Sequence, residues 1–277
     1  RQMRSRPIYA CGTGGASGGR QGITWARRSP DDFVAIVADA PAVNWMDPHV
    51  GRMAINRAAN KTPIPPAKYP MSHEAVLQAC DGLDGVKDGV LENPLACTFD
   101  PKVLECKGGK DNASCLTSGQ VKSAQAIYDG VKHPETDAVV VPGLEPGTEL
   151  NWGVLGGPWP NSNPLEALKY VVHADPAWDF HSFDLKKDLE LASKIDPALS
   201  SSSTDLKPFF DRGGKLLIYH GFADPQVPDR NTIDYFTKVA DGAGKGPGGT
   251  HLHPQQAPGM GRCQGGPGAE RAHKLAA

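Results

Sequence analysis

The sequence has no apolar run approaching the length that crosses a bilayer, and the basic start at Arg1, Arg4 and Arg6 is not followed by the apolar stretch of a signal peptide. It also lacks an excess of either charge. A net charge of −2 over 277 residues leaves no basic footprint, so nucleic acid is not an expected partner and neither is a membrane. No internal repeat is present. The six cysteines include no C-x-x-C pair, which disfavours zinc. Their even number favours disulfides and hence an oxidising compartment, against the alternative of buried free thiols in a cytosolic enzyme.

What the chain does carry is glycine, 32 residues of it, and one group is placed for chemistry. Gly15-Ala16-Ser17-Gly18-Gly19-Arg20 reads as a nucleophile elbow, a sharp strand-to-helix turn in which glycines let backbone segments approach while the serine is pushed outward. On this reading residues 7–10 form a short strand, 20–28 a helix, Ser17 is the nucleophile and the Gly18 N–H helps hold an oxyanion. The competing reading is a chance match in a flexible glycine loop.

A serine hydroxyl is a weak nucleophile alone; it needs a base to take its proton and an acid to orient that base. Asp224 is the candidate acid, because it follows directly on the apolar run 215–219, which is bounded by Gly213-Gly214 and Gly221 and reads as a buried strand. Its alternative role is to cap the helix predicted at 231–239.

At this length the chain buries either one large core or a catalytic domain with an insertion. Residues 1–46 alternate strand and helix signals, with 33–40 a parallel strand, and βαβ character returns in 204–273. Together they read as one discontinuous α/β core. Residues 47–203 change to proline- and glycine-rich connections with tryptophans and short helical stretches at 118–128 and 165–172, the pattern of an inserted lid. Past Asp241 the chain is glycine-rich, and 251–256, with two histidines, a proline and two glutamines, makes a poor buried strand. The final 274–277 looks like a vector scar.

Asp81, Asp84 and Asp88 are interleaved with Gly82, Gly85 and Gly89, so a tight loop can converge carboxylates and carbonyls on a hard cation such as calcium. The glutamate-terminated twelve-residue spacing of an EF-hand is absent. The same spacing also fits a solvated acidic turn.

Read in order, Ser17-Gly18-Gly19-Arg20-Gln21-Gly22, Ile36-Val37-Ala38-Asp39-Ala40-Pro41-Ala42, Cys80-Asp81-Gly82-Leu83-Asp84-Gly85-Val86-Lys87-Asp88-Gly89-Val90, Leu216-Leu217-Ile218-Tyr219-His220-Gly221-Phe222-Ala223-Asp224 and Pro258-Gly259-Met260-Gly261 resemble the tannase and feruloyl esterase family, which includes terephthalate monoester hydrolase. The resemblance covers nearly the whole chain. It implies an α/β-hydrolase with a lid, a secreted or periplasmic home, and an aromatic or phenolic acid ester as the small-molecule substrate. It further implies calcium held by the side chains of Asp81, Asp84 and Asp88 with the main-chain oxygens of Val86 and Val90, and pairing of Cys80 with Cys97 and of Cys106 with Cys115.

The chain departs from the family pattern in three places. Where the family carries its catalytic histidine after Pro-Gly-Met-Gly, this sequence has Arg262, whose guanidinium stays protonated and cannot accept a proton. Ala16 stands where the family has a cysteine before the serine, leaving Cys11 as a substitute partner for Cys263. Few residues precede the elbow, whereas such hydrolases place several strands there, so the core reads as N-terminally incomplete or unusually built.

His251 and His253 are the histidines nearest to Arg262 that a rearranged loop can offer as a base. The expectation is a serine esterase for aromatic or phenolic acid esters, impaired at the base. Its alternative is a non-catalytic secreted calcium-binding protein that at most binds phenolic ligands.

Overall fold

The computed structural model describes residues 10–157, 159–243 and 250–254, the last segment by its backbone. In chain order the elements are β1 (Cys11–Gly15), α1 (Ser17–Arg28), β2 (Ala35–Asp39), α2 (Met46–Ala59), α3 (Tyr69–Cys80), α4 (Ser118–Asp129), β3 (Val131–Lys132), β4 (Val139–Val141), α5 (Gly153–Gly156), α6 (Ser162–Ala167), α7 (Leu185–Leu199), α8 (Lys207–Asp211), β5 (Lys215–His220), α9 (Asp229–Ala243) and β6 (Thr250–Pro254). Single turns of 3-10 and π-helix link several of them.

Strands β1, β2, β5 and β6 form one parallel sheet in that order. Alternate residues of the two central strands, Ile36, Ala38, Leu216 and Ile218, are buried, because a strand sends successive side chains to opposite faces. They meet Ile23 and Ala26 of α1 and Tyr235 and Val239 of α9 in one apolar cluster, completed by Phe209 and Phe210 of α8. The other face is more open: Thr13 is exposed, Val37 half-buried and Leu217 38 % exposed. A parallel sheet ordinarily has both faces covered.

The first strand lies at Cys11–Gly15, where the sequence suggested 7–10; of that segment only Ala10 is among the described residues. A glycine is needed at position 14, since a Cβ there would lie 2.7 Å from the Gly18 carbonyl carbon. Segment 250–254, expected to be too polar for a strand, pairs in parallel register with β5, Leu252 beside Ile218. Among the described residues it is, with β1, an edge strand, and an edge position tolerates polar side chains that a central one does not.

Residues between Trp45 and Leu199 build three further apolar clusters. Their helices are longer than the proline-rich sequence suggested: α2 has 14 residues, α3 12 and α7 15. Pro70 sits in the first turn of α3, where a missing N–H costs nothing, whereas Pro197 lies inside α7 near its end. Thr117 and Gln120 close a reciprocal capping box on α4, and Asp184 caps α7 through the Lys187 N–H.

Two disulfides hold the region before α4, Cys80–Cys97 and Cys106–Cys115, the pairs that the family resemblance implied. Contacts tie the 145–151 segment to the chain that follows β5. The Arg230 guanidinium donates to both oxygens of buried Glu145, with Nη2 to Oε2 at 2.8 Å. Asn151 Nδ2 donates to the Ala223 carbonyl at 3.3 Å.

Candidate active site

The turn from β1 into α1 is sharp, and its strained residue is Ala16. With φ 48° and ψ −112°, Ala16 occupies a backbone region that L-residues rarely adopt, the kind of strain that marks the vertex of a nucleophile elbow. Three hydrogen bonds fix it: the Ala16 N–H to Asp39 O at 2.9 Å, and the Arg20 and Ala42 N–H groups to Ala16 O at 3.1 and 3.2 Å. The glycines that touch are Gly14 and Gly18, two residues on either side of Ala16. Gly19 is equally constrained, since a Cβ there would lie 2.8 Å from Asp39 O.

This corrects the sequence reading by one residue. Ser17, taken as the nucleophile, is exposed and occupies the first position of α1, one step past the vertex, and the vertex carries only a methyl group. The amide that follows the vertex, the usual oxyanion donor of such an elbow, is then that of Ser17 and not of Gly18. The start of α1 retains open N–H groups, because no side chain caps it.

Asp224 lies in the turn after β5, as expected, but its lone pairs are occupied locally. Oδ1 accepts the N–H groups of Gln226 at 2.7 Å and Val227 at 3.1 Å, and Oδ2 lies 3.5 Å from His220 Nε2. Burial pushes its pKa up, but the hydrogen bonds from His220 and the two amides outweigh this and hold the carboxyl below its usual value.

His220 is buried and fully committed. Its Nε2 lies 3.0 Å from Val227 O, an acceptor only, so that nitrogen carries the hydrogen, while Nδ1 accepts from the Thr232 hydroxyl at 2.8 Å. It has no free lone pair to serve a nucleophile.

His251 and His253 stand in strand β6 and not in a loop. The sheet register places Gly15, Asp39, Tyr219 and His253 in one transverse row. Three strand spacings therefore separate His253 from the residue before the vertex, about 14 Å between Cα positions. Arg262 and Cys263 lie outside the described residues, so the expected Cys11–Cys263 pair does too.

A family model described as tannase and feruloyl esterase matches residues 4–277. The chain belongs to the tannase and feruloyl esterase family. It is 30% identical over 269 residues to a probable feruloyl esterase B-2 of Aspergillus terreus, a match covering 92% of this chain and 50% of that one. An uncharacterised esterase of Xanthomonas campestris is 31% identical over 255 residues, covering 84% and 44%. The crystal structure of feruloyl esterase B from Aspergillus oryzae superposes with a TM-score of 0.76 at 29% identity, covering 82% of this chain and 47% of that one. Tannin acyl hydrolase from Aspergillus niger, at 21% identity and a TM-score of 0.72, shares the fold. The fold is thus of the α/β-hydrolase type, and the chain spans about half the length of the curated relatives it matches.

The acidic loop that the sequence singled out lies between α3 and Cys97. Asp81 accepts the Gly89 N–H at 3.1 Å, Asp84 those of Val86 at 2.9 Å and Glu92 at 3.3 Å, and Asp88 that of Val90 at 3.1 Å. Gly85 and Gly89 make the turns with φ of 95° and 81°, where a side chain would be strained. These donors are hard oxygens and the flanking cysteines are bonded to each other, so the chemistry suits calcium and not a thiophilic metal. As placed, each carboxylate serves its own turn, and no group of three acidic, histidine or cysteine side chains converges at metal-binding distance among the described residues.

Sequence reasoning missed a buried polar pair on α2. His49 and Arg52, one turn apart on α2, are both buried. His49 donates from Nδ1 to Trp45 O at 2.7 Å, and its ring lies 4.7 Å from that of Trp45. Burial, with Arg52 and Arg20 nearby, holds its pKa below the usual value and keeps it neutral. Arg20 lies with its guanidinium 5.2 Å from the Trp45 ring. The signal available was the spacing of His49 and Arg52 on a helix directly following a core strand.

Proposed function

We propose that this chain keeps the aromatic-ester recognition scaffold of the carboxylic ester hydrolases in its family and acts on it as a binder, with hydrolysis disabled at the elbow. The observation that carries this is the methyl side chain of Ala16 at the strained vertex, where a nucleophile belongs. Arg262 adds to it from sequence, since a guanidinium cannot take the hydroxyl proton. The ligand class, aromatic or phenolic acid esters, is supported by the family match and by the relatives named as feruloyl esterases. Secretion or a periplasmic home is supported by the two disulfides.

A second reading, a slow serine esterase, is favoured by exposed Ser17 beside the open start of α1 and by the carboxylate of Asp224. The test is hydrolysis of a chromogenic aromatic ester by the unmodified chain and by Ser17→Ala. No turnover above the Ser17→Ala background is expected. Turnover that Ser17→Ala removes would establish the esterase and sink the binder.

Calcium belongs to the proposal as a structural ion. Asp81, Asp84 and Asp88 with the main-chain oxygens of Val86 and Val90 would hold it, supplying rigidity to the loop and no chemistry at the elbow. The spacing of the three aspartates and their hard-oxygen chemistry support this reading.

A further inference from the structure

Among the described residues, three buried side-chain polar atoms have no hydrogen-bond partner: Asn44 Oδ1, Arg52 Nε and Asp229 Oδ2. Asn44 lies on the short segment between β2 and α2, whose Ala42 N–H bonds the Ala16 carbonyl, and Arg52 lies midway along α2. A buried guanidinium left in this state is costly, because a charge removed from water needs a counter-charge and hydrogen bonds to repay its desolvation. Arg52 is 5 % exposed.

Its neighbours do not supply a partner. Asp224 is near enough to act on it electrostatically, but it makes no ion pair with Arg52 within 4 Å, and its Oδ1 already accepts from Gln226 and Val227. Arg52 and Arg20 both act electrostatically on His49, so two cations from different helices border one neutral ring. The Trp45 ring lies against that same imidazole, at a tilt of 46°. The patch combines a buried guanidinium whose Nε has no partner with the rings of Trp45 and His49, within electrostatic reach of Asp224.

We infer that Arg52 is the anchor for an aromatic carboxylate, its guanidinium receiving the carboxylate while the ring lies along Trp45 and His49. This rests on the reading of the chain as a binder of aromatic acid derivatives and deepens it: the preferred ligand is the free acid, the product side of ester hydrolysis, and not the neutral ester. The geometry of a guanidinium matches a carboxylate through two parallel hydrogen bonds, which neither an ester nor a phenol can reproduce.

The test is calorimetric titration of the full chain with 4-hydroxybenzoate and, separately, with its methyl ester at neutral pH. The unmodified chain should bind the acid more tightly than the ester. Arg52→Gln should weaken the acid by about tenfold or more, the scale of charge-assisted hydrogen bonds, and change the ester by less than about threefold. Arg52→Lys should recover part of the loss. Equal affinity of the acid for the unmodified chain and Arg52→Gln, with the ester still bound, overturns the anchor and leaves the binder reading standing. Binding of neither compound overturns both. Should Arg52→Gln fail to fold, the unmodified chain still decides, since tighter binding of the ester than of the acid overturns the anchor by itself.

Discussion

Gly14 and Gly18 meet across the elbow so closely that no side chain fits on Gly14, and the residue midway between them is Ala16. The contact, with the dihedrals of Ala16, marks that residue as the vertex, because β1 can approach the start of α1 this closely only where residue 14 lacks a Cβ. It also separates two substitutions that look alike in sequence. Gly14→Ala forces a methyl into backbone 2.7 Å away and should destabilise by about 1–3 kcal/mol, as overpacking does. Gly18→Ala meets open space in a helix and should be neutral or stabilising by up to about 1 kcal/mol. Thermal unfolding of the two variants checks this, and an equal loss in both would contradict the assignment.

Rebuilding the vertex should need two changes. Ala16→Ser supplies a hydroxyl without a proton acceptor, and Arg262→His supplies a base without a hydroxyl at the vertex, so each alone should stay near background on an aromatic ester. Together they should exceed either by about a hundredfold or more, the scale of general-base catalysis. Comparable gains from Arg262→His alone, lost on Ser17→Ala, would return the nucleophile to Ser17.

Chelation should expose the acidic loop. EGTA is expected to lower the melting temperature, and Asp84→Ala to remove that sensitivity. The stabilisation follows mass action, about 2.7 kcal/mol at a hundredfold excess over Kd. A melting temperature indifferent to calcium would remove the ion from the proposal.

Asp229 makes the chain's stability depend on pH. Its carboxyl is buried, Oδ2 has no partner, and desolvation together with the nearby Glu145 pushes its pKa from 3.8 up to about 6. A raised acid contributes stability that is complete below the unfolded value and is lost as pH rises through the folded value. Stability should therefore fall between about pH 4 and pH 6 on this account, and Asp229→Asn should flatten that limb. At pH 7 the variant should be more stable by about 3 kcal/mol, two pKa units converted. Superimposable pH profiles for the two proteins would count against it.

The positions of Asp224 after β5 and of the aspartate turns were legible because each is encoded locally, a carboxylate after an apolar strand and aspartates spaced by glycines, whereas the two disulfide pairings came from the family resemblance. The vertex was misplaced by one residue because two overlapping glycine pairs, Gly14 with Gly18 and Gly15 with Gly19, flank adjacent residues, and only backbone dihedrals distinguish them. Strand β6 was missed because its side chains are polar and its pairing with β5 is long-range. Arg52 was silent for a different reason. An arginine in an amphipathic helix reads as solvated, and its burial comes from packing between elements far apart in sequence.

The hydrogen bond from Asn151 to Ala223 and the ion pair between Glu145 and Arg230 have a mechanical consequence. Both span the seam between the inserted region and the sheet, and both land within six residues of Asp224. A flap hinged elsewhere could swing without disturbing the acid; this one is riveted to the loop that bears it. Amide exchange at Gln226 and Val227, whose N–H groups hold Asp224, should consequently track exchange in the 145–151 segment under mild denaturant, the two opening as one cooperative unit.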